Sequence, residues 1–212
     1  TEMWLKAKGN IAPSTRKGYE ARLKYHLLPA FGKVKLTAIT NNQIGQWLVN
    51  SQSKGSGPIV LKQSYGVLRQ ILNDAVLDGR LNRNPAIGIP QPKTSSKKKS
   101  VLGNSELKAL AEACGEYKLL ILLAATTGMR WGELNAIQCK DISILNRTIN
   151  VSKAFTLGDR GGKVVGATKT NQVRTIPLAK ELVPEIEIII AEKNPDAFLF
   201  TNTNGGALDY NN

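Results

Sequence analysis

Thr126-Thr127-Gly128-Met129-Arg130-Trp131-Gly132-Glu133-Leu134 is the stretch on which the reading of the chain turns. It follows an apolar run, Leu119 to Ala125, that is too long for a strand and lacks a polar face, the pattern of a buried helix. Gly128 then turns the chain, and Arg130 and Glu133 follow three residues apart at the start of a second helix. A guanidinium fixed at the end of a core helix needs a partner, because burying charge without one is costly. Such an arginine is expected to grip an anion, and a DNA phosphate is the anion that the rest of the chain indicates.

Charge supplies that indication. The 212 residues carry a net charge of +13. Residues 1–92 hold 13 basic and 4 acidic side chains, residues 93–99 hold 4 basic and no acidic ones, and residues 100–212 hold 12 of each. An excess segregated into the first half and a connector points to a polyanionic partner rather than to a general solubility device. The segment Gln91-Pro92-Lys93-Thr94-Ser95-Ser96-Lys97-Lys98-Lys99-Ser100 closes a stretch with Pro85, Pro90 and Pro92, and is read as a linker between domains 1–90 and 101–212. Ten extended residues span about 30 Å, room for the flanking domains to engage different sides of a duplex. Lys93, Lys97, Lys98 and Lys99 are expected to follow phosphates there without sequence preference.

The first domain reads as all-helical. Tyr19, Leu23 and Leu27 recur every fourth residue after Pro13-Ser14, with Pro29 and Gly32 expected to end that helix. Thr40-Asn41-Asn42-Gln43 has the form of a capping box ahead of Ile44, Trp47 and Leu48. Gly57-Pro58 opens a third helix with Leu61, Tyr65, Leu68, Leu72 and Val76 inward, and a short helix from Met3 to Lys8 is expected to cover these. Arg16, Lys17, Lys24, Lys62 and Arg69 fall on outward faces and are the candidate DNA contacts of this domain.

The second domain is mixed, an α+β pattern with three small strands beside a helical body. Helices are expected over Glu106–Ala113, from about Tyr117, over Trp131–Gln138 and over Ala179–Lys193. Thr148–Val151 reads as a strand, and Val164-Val165 with Val173–Pro177 reads as a hairpin whose polar tip is Lys169-Thr170-Asn171-Gln172.

Several chemistries are excluded. Gly158-Asp159-Arg160-Gly161-Gly162-Lys163 does not match a phosphate-cradling loop and suits a hairpin bend instead. The one histidine, His26, rules out a histidine-rich metal site, and no serine or cysteine has a histidine beside it for a nucleophilic triad. Cys114 and Cys139 are too few for a disulfide framework and are expected to be reduced. No run approaches the roughly 20 apolar residues of a membrane span, and the N-terminus has no signal-peptide core, so a cytoplasmic protein is expected. What remains is Arg130, Glu133 and Lys169. These suit metal-free phosphoryl transfer: an arginine against the non-bridging oxygens, a lysine to protonate the leaving 5′ oxygen, and a carboxylate to orient the arginine.

The same residues resemble a known family, the phage-type tyrosine recombinases (integrases), over nearly the whole chain. Thr127 to Leu134 resembles the family's first catalytic arginine motif, and Lys169-Thr170 followed by Arg174-Thr175-Ile176-Pro177-Leu178 resembles its catalytic lysine segment. Tyr19, Leu27-Leu28-Pro29-Ala30-Phe31-Gly32 and Ile71 to Val76 through Asn84-Pro85 resemble its core-binding domain. The resemblance implies a SAM-like helical bundle followed by a catalytic domain of the DNA breaking-rejoining fold, incomplete here, with a small three-stranded antiparallel sheet. It also implies that Arg130 and Lys169 are catalytic, Glu133 supportive and Arg174 a DNA contact. No metal or other cofactor is implied. The partners would be double-stranded attachment-site DNA, a homotetramer on DNA and an accessory bending or excision protein. The family's His-x-x-Arg pair, its further histidine or tryptophan and its nucleophilic tyrosine have no counterpart in the 212 residues, and Tyr210 does not sit where that tyrosine belongs. The chain is therefore expected to stop within the catalytic domain, to be monomeric, and to bind DNA without cleaving it. A type IB topoisomerase-like enzyme and a non-catalytic DNA-binding protein are the alternatives. The first relaxes DNA instead of joining two duplexes, and the second explains the charge but not Arg130 or Lys169.

Overall fold

The computed structural model describes all residues except 1, 10, 95–99, 159–161, 171 and 209–212. The chain divides into two compact units, Thr1–Lys98 and Lys99–Asn212.

The N-terminal unit is helical. Helix α1 (Glu2–Ala7) precedes α2 (Pro13–Arg22), which runs through a π-helical turn, Leu23–Leu27, into α3 (Leu28–Phe31). Pro29 does not end this helix as expected. It lacks an N–H and its ring crowds the carbonyl one turn back, so the ladder widens into the π turn and carries on to Phe31. Thr40 caps α4 (Asn41–Ser53) as its spacing predicts: the Gln43 amide donates to Thr40 Oγ1 at 3.3 Å, and the Thr40 amide donates to Gln43 Oε1 at 3.0 Å. Helix α5 (Pro58–Leu77) begins with proline in its first turn and buries Leu61, Tyr65, Leu68 and Leu72 on one stripe. These close on Leu23, Leu27, Ile44, Trp47 and Leu48 to make the core of the unit. Asp74 ties α1 to α5, accepting from Trp4 Nε1 at 2.7 Å and pairing with Lys8 Nζ at 2.8 Å.

The C-terminal unit opens with α6 (Asn104–Ala113) and the apolar α7 (Lys118–Thr127). Leu119, Leu120 and Leu123 of α7 sit in a core completed by Leu134, Ile137, Ile149, Val151, Ile186 and Leu199. Helix α8 spans only Trp131–Asn135 instead of reaching Gln138. The backbone beyond it is diverted into pairing with the segment around Phe198: the Cys139 amide donates to the Ala197 carbonyl and the Leu199 amide to the Ile137 carbonyl. The C-terminal helix starts as a 3-10 turn, Lys180–Leu182, because Pro184 occupies the first turn of α9 (Val183–Glu192). Cys114 is half-buried, Cys139 is buried, and both are free thiols.

Among the described residues five strands form two antiparallel sheets: β1 (Ile142–Ser143), β2 (Thr148–Val151) and β5 (Arg174–Pro177) in one, β3 (Lys153–Leu157) and β4 (Lys163–Ala167) in the other. The three-stranded sheet is present, but its membership corrects the sequence reading. Val164-Val165 does not fold back on Val173–Pro177; it pairs with Phe155 and Thr156 of β3, while β5 pairs with β2. One residue, Ser152, separates β2 from β3, so each takes its own partner from the two strands that follow. Lys169 thus lies in a turn joining strands of different sheets and not at a hairpin tip. No described helix is long and apolar enough to cross a membrane.

The Thr40 cap satisfies donors that a helix start otherwise leaves to water. Thr40→Ala is expected to cost about 1 kcal/mol, read as a lower urea midpoint by far-ultraviolet circular dichroism. An unchanged midpoint would show that the cap contributes nothing.

Candidate phosphate-gripping site

Gly128 ends α7 in the left-handed region, with φ 63° and ψ 18°, and its amide donates to the Ala124 carbonyl. A side chain is strained there, so the glycine of the motif serves the turn. The chain leaves extended through Arg130 (φ −69°, ψ 151°), which starts α8. Gly132 answers a second constraint. A Cβ on it would lie 2.7 Å from the backbone carbonyl oxygen of Phe155, so only glycine lets α8 lie against β3.

Glu133 is the centre of the site. It is 1% exposed, and its carboxylate accepts four hydrogen bonds. The Arg130 amide donates to Oε2 at 3.0 Å and Arg130 Nη1 to Oε1 at 3.0 Å. Arg174 closes on the same group as a fork, Nη1 to Oε1 at 3.2 Å and Nη2 to Oε2 at 2.6 Å. The Arg174 guanidinium is the main cause holding the Glu133 carboxyl down at about 2, helped by the Arg130 bonds and opposed by burial. Sheet register explains why Arg174 reaches inward. It pairs with Val151, a fully buried residue, and directly opposed residues share a face.

Arg130, Glu133 and Arg174 are therefore brought together. Arg130 remains 56% exposed and Arg174 35%, so the first turns an open edge to solvent and the second is drawn in. Arg174, expected among the DNA contacts, is turned onto a carboxylate. Its pairing with Glu133 is the feature that sequence reasoning missed; the signal available was an arginine at an inward alternation position beside Ile176. Lys169 is exposed in the turn after β4, with no ion pair among the described residues, and the Thr168 hydroxyl braces that turn by donating to the Gln172 carbonyl at 3.0 Å.

In the N-terminal unit Lys17, Lys24, Lys62 and Arg69 are exposed, Lys24 lying 5.3 Å from the centre of the Tyr25 ring. Arg16 corrects the reading. It is half-buried, and its guanidinium donates to the Leu5 and Lys8 carbonyls, both at 3.3 Å, because the end of α1 leaves carbonyls in need of donors. Lys93 is exposed, and Lys97, Lys98, Lys99 and Tyr210 lie outside the described residues. Among the described residues no group of three His, Cys, Asp or Glu side chains is arranged to hold a metal ion.

The ion pairing has a definite pH signature. A carboxyl held below its unfolded value contributes stability above that value and loses it as the pH falls through the folded one. Glu133 is thus expected to contribute on the order of 3 kcal/mol above about pH 4.5, lost on the way to about pH 2. Urea unfolding as a function of pH measures this, and a Glu133→Gln variant with an equally steep acid limb would contradict it. Gly132→Ala is expected to cost about 1–3 kcal/mol by forcing α8 off β3, read as a drop in urea midpoint.

The fold has known counterparts, and family models match the sequence. A family model described as "Phage integrase, N-terminal SAM-like domain" matches residues 1–51, and one described as "Phage integrase family" matches residues 100–212. The putative prophage phiRv2 integrase of Mycobacterium tuberculosis is 30% identical over 189 residues, 88% of this chain and 49% of the relative. The chain spans about half the length of the curated relatives it matches. Among solved structures, a Tn1549 transposon integrase in complex with circular intermediate DNA superposes with a TM-score of 0.85 at 19% identity, covering 98% of this chain and 71% of that one. A lambda integrase tetramer bound to a Holliday junction gives a TM-score of 0.72 at 19% identity, covering 98% and 58%. These structural likenesses speak to the fold. With a family model matched over more than half of its length, the chain belongs to the phage integrase family.

Proposed function

We propose that this chain is the core-binding and partial catalytic portion of a site-specific DNA recombinase that joins phage and bacterial attachment sites in the cytoplasm of a bacterial host. The observation that carries the reading is the Arg130 guanidinium, held on one edge by a buried carboxylate and open on the other. That arrangement offers a fixed, permanently charged donor set to an anion, which is what a phosphoryl transition state requires in the absence of metal.

The chemistry is what the resemblance to the phage-type tyrosine recombinases implies, with the residues of this chain in its roles. A tyrosine hydroxyl supplied from outside these 212 residues attacks a DNA phosphorus. The 3′ side becomes a phosphotyrosyl ester and the 5′ oxygen leaves. Arg130 stabilises the charge that builds on the non-bridging oxygens, and Lys169 protonates the departing 5′ oxygen. Glu133 orients Arg130 without touching DNA. The 5′ hydroxyl of a partner strand then reverses the attack, so the phosphoester energy is retained and ATP is not consumed. Exposed Lys17, Lys24, Lys62, Arg69 and Lys93 hold the duplex through its phosphates. The likeness to integrases solved on DNA, one as a tetramer on a Holliday junction, supports a duplex partner and a tetrameric assembly of the whole protein. An accessory bending or excision protein belongs to the same reading.

The 212 residues are expected to bind duplex DNA noncovalently, with an affinity that falls steeply with salt. A covalent DNA adduct formed by them alone would overturn the assignment of the nucleophile to other residues. In the full-length recombinase on a nicked suicide duplex, Arg130→Ala is expected to bind DNA but form adduct about 100- to 1,000-fold more slowly. Adduct formation at the unaltered rate would remove Arg130 from the chemistry. Relaxation of supercoiled DNA without joining of two duplexes would favour a topoisomerase.

A further inference from the structure

We propose that Arg174 is a positioning residue for this reaction, acting through Glu133 to aim Arg130, and not itself a contact to DNA. The inference rests on the recombinase reading and adds to it the device that keeps the phosphate-facing arginine available.

Competition for one carboxylate carries the argument. A lone arginine beside a buried carboxylate takes it as a fork, using two parallel N–H bonds and cancelling its own charge. Here the fork position belongs to Arg174, which meets both oxygens of Glu133. Arg130 is left one side-chain bond, Nη1 to Oε1, plus the bond from its own amide. All four acceptor directions of the carboxylate are then filled, so Glu133 has none left for Arg130 to close on or for substrate to use. Two guanidinia share one negative charge, and the surplus positive charge resides on the pair whose more exposed member is Arg130. Removing Arg174 frees the fork. Arg130 would collapse onto Glu133 and withdraw its remaining donors and its charge from the phosphate.

Sheet geometry makes Arg174 suited to this task. Its register opposite the buried Val151 points it into the unit from β5, while Glu133 and Arg130 arrive on α8. Among the described residues the charged groups facing the Glu133 carboxylate are Arg130 from α8 and Arg174 from β5.

The test uses the full-length recombinase on a nicked suicide duplex. Arg174→Ala is expected to form covalent adduct on the order of a hundredfold more slowly, as a misaimed group does, with duplex affinity retained. Arg174→Lys is expected to recover part of the rate, because an ammonium supplies charge but cannot span both oxygens. In a Glu133→Gln background Arg174→Ala is expected to add no further loss, since the two act as one unit. The rate of Arg174→Ala is also expected to acquire an acid limb absent from the wild type, as Glu133 loses its strongest partner. An unaltered rate, or fully additive losses, would overturn the proposal. So would a duplex-binding salt slope lowered by about one in an Arg130→Ala background, the mark of a direct phosphate contact. Titrating the Glu133 carboxyl by carbon-13 NMR in the 212-residue chain separates this proposal from the recombinase reading. A midpoint that rises in Arg174→Ala upholds the clamp even if the wild-type enzyme forms no adduct, and one that does not move removes it.

Discussion

A carboxylate that is 1% exposed and still ionised sets the terms for the C-terminal unit. Stripping an ion of water costs several kcal/mol unless its acceptor sites are filled by good donors. Glu133 meets that requirement with four bonds from two arginines, and each bond makes a demand on the fold. Helix α7 must end sharply enough for the Arg130 amide to face back onto α8, which Gly128 permits. Strand β5 must keep its register on β2, since a slip of one residue would turn Arg174 to the other face. Helix α8 must lie close to β3, which Gly132 permits. The ion pair and the backbone around it therefore constrain one another.

This mutual dependence explains which parts of the molecule were legible in the sequence. The Thr40 cap, the Pro58 helix start, the apolar run of α7 and the turn at Gly128 are set by chemistry within a few residues, and local patterns reveal them. The link between Arg174 and Glu133 joins residues 41 apart and depends on which strand β5 selects. Alternation alone suggested that it would fold back on Val164-Val165. Strand β3, Lys153–Leu157, has alternation too weak to announce itself, and without it the pairing of the following strands could not be placed. Arg16 was misread for a related reason. An arginine on a polar helical face looks the same whether it meets solvent or the unsatisfied carbonyls of a neighbouring helix end. Pro29 shows that a proline can be absorbed by a π turn where a helix stop was expected.

The two units divide their electrostatics differently, and the proposed function accounts for the division. Residues 1–92 carry a strong basic excess, whereas residues 100–212 carry 12 charges of each sign. Holding a polyanion without regard to sequence is a collective task that improves with each added cation. Stabilising one phosphorus centre is a local task. It depends on where a single charge sits and on what restrains it, and a large unfocused excess would add counterions and mobile alternatives at the reacting phosphate. A segment of zero net charge can perform that second task if one guanidinium is fixed, exposed on a single edge, and prevented from neutralising itself. Glu133 fixes Arg130, and Arg174, by holding the same carboxylate more completely, limits how far the neutralisation can go. On the proposed reading, the cation that serves the chemistry is defined by its restraint, which is why neither the net charge of the unit nor a count of its arginines reveals it.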